Sequence, residues 1–187
     1  MTTSFKRTAM AGFTLIELLI VVIILAIISA IAIPQFSSAT SDAQQAALDA
    51  NLATVRNSLE QYRAQHTGNV YPGVNDSATG DNCDDEVTGT AIGAGTLGAM
   101  ENQLKYPSNA AGQTCLVGDP VNYRYGPYLR QGIPVEPINN VATVAFQANG
   151  QLPTPDTDGT GWAYVAQSGQ FIMNNSTVLN GRAYSAR

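Results

Sequence analysis

The chain has 187 residues, with 14 acidic against 9 basic side chains, a formal net charge of −5 and a single histidine. That length allows one domain of ordinary size with a small appendage, and enough chain to bury a real core. Lys and Arg are scattered rather than clustered, so the electrostatic footprint of a nucleic-acid partner is missing and none is expected.

Residues 1–12 are short, polar and basic, carry Lys6 and Arg7, and end in Ala11-Gly12. From Phe13 to Ile33 about 21 residues pass with one charge, Glu17, and no Gly or Pro; at ~1.5 Å per residue such a helix spans roughly 30 Å, the hydrocarbon thickness of a bilayer. The next basic residue is Arg56, so the positive-inside tendency keeps the N-terminus in the cytoplasm and the body beyond the membrane. A secretory signal has its small-residue cleavage site after the apolar region. Here Ala11-Gly12 precede it, so cleavage at Gly12 leaves the apolar segment on a mature chain that begins at Phe13. Glu17 is costly in lipid without a partner, which makes it a functional residue by default.

The run Gly12-Phe13-Thr14-Leu15-Ile16-Glu17-Leu18-Leu19-Ile20-Val21-Val22, with Pro34-Gln35 closing the apolar stretch, resembles the prepilin signature of the type IV pilin superfamily. The resemblance implies cleavage after Gly12 by a prepilin peptidase and methylation of the Phe13 amine. It further implies handling by an inner-membrane assembly platform and a homo-oligomeric helical filament whose apolar helices bundle in the core. In such filaments the carboxylate at Glu17 neutralises the Phe13 amine of a neighbour. Two charges in a low-dielectric bundle are tolerable only as a pair, which agrees with that role. The fold implied is α+β: a long N-terminal helix packed on a C-terminal antiparallel sheet.

Pro34 removes a backbone donor, which predicts a kink or a locally melted turn at the start of segment 34–66. Beyond it, residues 36–65 hold no Gly or Pro and are rich in Ala, Gln and Leu. Leu48, Leu52, Val55, Leu59 and Tyr62 recur at helical spacing as one apolar stripe. A two-part helix from Phe13 to Gln65 is therefore expected, ended by His66-Thr67-Gly68-Asn69. His66 reads as a favourable charge at a helix C-terminus rather than a ligand.

Residues 67–187 form the head. Residues 73–95 read as a surface loop holding Asp81, Asp84, Asp85 and Glu86 around Cys83, more a solvated acidic face than a cation site. Cys83 and Cys115 are the two cysteines, and in an exported domain they are expected to form a disulfide, worth roughly 3–4 kcal/mol for a loop of about 33 residues in the chain-entropy model. Gly93-Ala94-Gly95-Thr96-Leu97-Gly98 matches G-x-G-x-x-G but follows a polar loop rather than a strand, so it reads as a turn into a short helix over Leu97–Leu104. Gly126-Pro127-Tyr128-Leu129 and Pro134-Val135-Glu136-Pro137 impose a turn-rich path. Three or four antiparallel strands are expected after it, from Val141–Phe146, Gly161–Ala166 and Gln170–Met173, with Trp162, Tyr164 and Ala166 on one buried face. Asp156-Thr157-Asp158-Gly159 reads first as an Asp-Gly turn and second as part of a calcium loop through Asp156 and Asp158. Three N-x-[ST] matches, at Asn75, Asn174 and Asn175, read as chance.

No Ser/His/Asp set, plausible Cys/His pair or metal triad is evident, so no enzymatic role is expected. The reading that unites leader, apolar run, Glu17 and head is a structural filament subunit. It starts in the inner membrane, single-pass, with a periplasmic head. The Gly-Pro-Tyr-Leu and Pro-x-x-Pro order resembles major pseudopilins of type II secretion, which places a secretion pseudopilus first. A surface pilus for adhesion, motility or DNA uptake, with this chain as major or minor pilin, comes second and is favoured by the cysteine-closed insertion.

Overall fold

A computed structural model of the chain describes residues 12–77, 92–116, 119, 121–148, 150, 159–175, 178–179 and 182–183, the last four by backbone alone. The chain divides into two compact units, residues 1–43 and 44–187. Helix α1, Leu15–Gln65, contributes to both.

In the first unit α1 is apolar and exposed over residues 15–33, apart from Glu17 and a half-buried Ala32, and turns polar after Pro34. Its most apolar 18-residue window has a mean hydropathy of 3.2, and none of it is buried. The melted turn expected at Pro34 is absent, because α-helix continues through that residue. A proline deletes one N–H bond, whereas each flanking residue adds one, so long helical arms carry the chain across the defect. Hydroxyls reinforce the next turn: Ser38 Oγ donates to the Gln35 carbonyl at 3.0 Å, and Thr40 Oγ1 to that of Phe36 at 2.8 Å.

The second unit is built on the stripe. Leu48, Leu52, Val55, Leu59 and Tyr62 are all buried, and the first four form one cluster with Trp162, Tyr164, Phe171 and Met173 of the sheet. Helix α2, Leu97–Lys105, adds Met100 and Leu104 to that cluster. Thr96 caps α2 by accepting from the Ala99 N–H at 3.3 Å, and a Cβ on Gly98 would meet the Ile92 side chain at 2.5 Å. The glycine-rich run is thus a turn packed against the Ile92 side chain, with no strand before it among the described residues.

Strands β1 (Val144–Gln147), β2 (Trp162–Val165) and β3 (Gln170–Met173) form a sheet in that order, and β4 (Val178–Leu179) pairs antiparallel with β5 (Arg182–Ala183). The architecture is α+β, as expected, but the main sheet is mixed. β2 and β3 are an antiparallel hairpin, whereas β1 runs parallel to β2 with Val144 opposite Trp162. The physical allowance is the connection: about 14 residues separate the two strands, enough for the dozen or so that a parallel crossover needs. β2 also departs from one-face alternation. As the central strand it buries Ala163 and Val165 as fully as Trp162 and Tyr164.

Candidate assembly site

The first turn of α1 is shaped by Thr14 and Glu17. The Thr14 N–H and its hydroxyl both donate to Glu17 Oε2 at 2.8 Å, and the Glu17 N–H returns a bond to Thr14 Oγ1 at 3.3 Å. This is a capping box: each residue satisfies a donor that the helix start would otherwise leave open. A carboxylate at this point also meets the positive end of the helix dipole. Both bonds fall on one oxygen, and Glu17 Oε1 accepts nothing among the described residues. Gly12 and Phe13 lie outside the helix, and the Phe13 ring is 88% exposed. The site therefore offers an unused anionic oxygen beside an exposed aromatic residue, at the head of an apolar surface that includes Leu18, Val21, Ile24 and Ile28.

Other expected site residues fall elsewhere. Cys115 is disulfide-bonded and nearly buried, and Cys83 lies outside the described residues, as does the acidic cluster around it. Asp156 and Asp158 also lie outside them. No group of three or more potential metal ligands occurs among the described residues.

His66 corrects an expectation. Instead of an exposed end charge, it is buried and stacked on Tyr62, with ring centroids 3.7 Å apart. Its Nδ1 lies 2.7 Å from the Tyr62 carbonyl, which can only accept, so Nδ1 carries the proton. Nε2 then accepts from the Ser108 hydroxyl at 2.9 Å. Burial pushes the imidazole pKa below its ordinary value, against a smaller upward pull from the Tyr62 carbonyl. The ring is a neutral part of the core.

Sequence reasoning missed three features. The Thr14-x-x-Glu17 capping box was in plain view as a motif. Gln103 and Glu136 had no such signal: each is a fully buried polar side chain tying loops together. Gln103 Nε2 donates to the Asp76 and Gly112 carbonyls at 3.0 Å, and its Oε1 accepts from the Gly73 N–H at 2.7 Å. Glu136 accepts from the N–H groups of Ile138 and Asn139, each at 2.6 Å. Gly112 sits at φ 92° against the Tyr62 hydroxyl and Gln103, where a Cβ would meet both, so backbone freedom and small size are needed together.

Residues 7–33 match the family described as the prokaryotic N-terminal methylation motif. The Type IV narrow pilus major component PilA5 of Thermus thermophilus is 47% identical over 57 residues, covering 30% of this chain and 49% of that protein. The chain thus spans about half the length of the curated relative it matches. No solved structure matches it. With the capping box, the unburied apolar helix and the α+β head, these matches support a prepilin of the type IV pilin superfamily, to which the chain is similar over its N-terminal segment.

Proposed function

We propose that the chain is a structural subunit of a surface type IV pilus, cleaved after Gly12, methylated at Phe13 and polymerised through its apolar helix. The observation that carries this is the apolar run of α1, residues 15–33: a helix whose large apolar side chains are exposed and whose one acidic residue, Glu17, keeps an oxygen free. Water does not tolerate a continuous apolar surface of that kind, so it belongs first in lipid and then in a protein bundle. Cleavage creates an ammonium at Phe13, and the open Glu17 oxygen is a matching acceptor on a neighbouring copy. Pairing neutralises both charges in the dry interior. The N-terminus is cytoplasmic and the head periplasmic before extraction, following Lys6 and Arg7. Prepilin peptidase and an inner-membrane platform are the partners this route requires.

The relative named as a pilus component favours a surface pilus. The Gly126-Pro127-Tyr128-Leu129 segment, whose Tyr128 and Leu129 N–H groups both donate to the Leu104 carbonyl at 2.9 Å, supports the second reading, a secretion pseudopilus. Shearing cells and measuring the mass of the recovered fibre protein tests the proposal. The expected product is a chain starting at N-methylated Phe13. Recovery only from the membrane fraction, with residues 1–12 still attached, would contradict it.

A further inference from the structure

Pro34 has no N–H, so the Ala30 carbonyl lacks the donor four residues on that a helix ordinarily supplies. One turn later the Gln35, Phe36 and Ser37 carbonyls each receive a hydroxyl, from Ser38, Thr40 and Ser41. At the equivalent offsets from Ala30 stand Ile33 and Pro34, which carry none. The adjoining residue, Gln35, has the converse property: its side-chain amide makes no hydrogen bond among the described residues. It lines a shallow, otherwise apolar concavity of about 560 Å³ with Ile28, Ile31, Ala32, Phe36 and Ala39. The two alanines, set among larger side chains, leave the space.

We propose that this concavity receives the apolar helix of a second copy of the chain, and that the Gln35 amide donates to the Ala30 carbonyl of that copy. The inference rests on the filament reading above. The complementarity is polar and internal to the sequence: each copy carries one spare donor and one acceptor short of its donor, five residues apart on the same apolar stretch. Lipid tails can satisfy neither, and an unmatched backbone group in hydrocarbon is costly. A head-to-tail array of identical helices matches every interior pair, because each copy gives to one neighbour and receives from another.

The test is a double-mutant cycle on sheared filaments of the full chain: wild type, Gln35→Leu, Pro34→Ala and both together, diluted into mild detergent while subunit loss is followed by light scattering. In the presence of Pro34, Gln35→Leu is expected to speed loss about three- to tenfold, the effect of one interhelical hydrogen bond in an apolar medium. Where Pro34→Ala returns the missing N–H, the same change should alter the rate less than about twofold. If Gln35→Leu alone makes no filaments at normal membrane levels, rescue by Pro34→Ala supports the clasp and failure to rescue overturns it. Equal effects in both backgrounds, or no effect in either, also overturn it. A wild-type chain that yields no filaments overturns the filament reading itself, and the clasp with it.

Discussion

Thr14 gives two hydrogen bonds, both at 2.8 Å, to one carboxylate oxygen of Glu17, and leaves the other oxygen open. The residue that a lipid-embedded helix can least accommodate is thereby half-satisfied within its own first turn. A docking ammonium need only take the remaining half. Replacing Thr14 with Ala removes the hydroxyl, which both donates to the carboxylate and accepts from the Glu17 N–H, and leaves only the backbone N–H to hold Glu17. Slower incorporation of Thr14→Ala into filaments, at normal membrane levels, is the expected outcome in a pulse-labelled shearing assay. Unchanged incorporation would show the capping box to be incidental.

Acid should loosen the head through His66. Burial holds its imidazole pKa below the ordinary 6.5, so the unfolded chain takes up the proton more readily than the folded one. Stability from this source is therefore complete above about pH 6.5 and lost as the pH falls through the folded value. Thermal melts of the purified protein across pH 4–8 should show a His66→Asn variant with a flatter acid limb. Identical limbs would assign the dependence to other groups.

Glu136 should behave as a structural carboxylate. Its two short bonds to Ile138 and Asn139 pin a turn in which the Pro134 carbonyl accepts from the Trp162 indole at 2.8 Å. Glu136→Ala leaves two part-buried N–H groups without their acceptor, each bond contributing about 0.5–1.5 kcal/mol, whereas Glu136→Gln keeps one acceptor. Denaturant melts should rank wild type above Gln above Ala; equal midpoints would remove the role.

The proposed bridge between Cys83 and Cys115 should appear as a disulfide-linked peptide pair under non-reducing mass spectrometry. Its reduction should lower head stability by roughly 3–4 kcal/mol in the chain-entropy model. Free thiols at both positions would exclude the pairing.

What the sequence disclosed was governed by range. The stripe from Leu48 to Tyr62 was legible because helical spacing is local, and α2 began one residue after Thr96 because a cap and a turn announce it. The parallel pairing of Val144 with Trp162 was not legible, since a strand's own pattern does not record its neighbour's direction. His66 was misread for a related reason: its burial depends on Ser108 and Tyr125, about 40 and 60 residues away along the chain. At the assembly site the carboxylate was recognised, but the capping box was overlooked because Glu17 was weighed as an anomaly in lipid before it was weighed as the third residue of a helix.

Immunogold electron microscopy of cells expressing the wild-type chain or Glu17→Ala tests the central claim most directly. The account predicts label along fibres in the wild type. In the variant, processed chain should be confined to the membrane. Normal labelled fibres from Glu17→Ala, or wild-type fibres that carry no label, would contradict it.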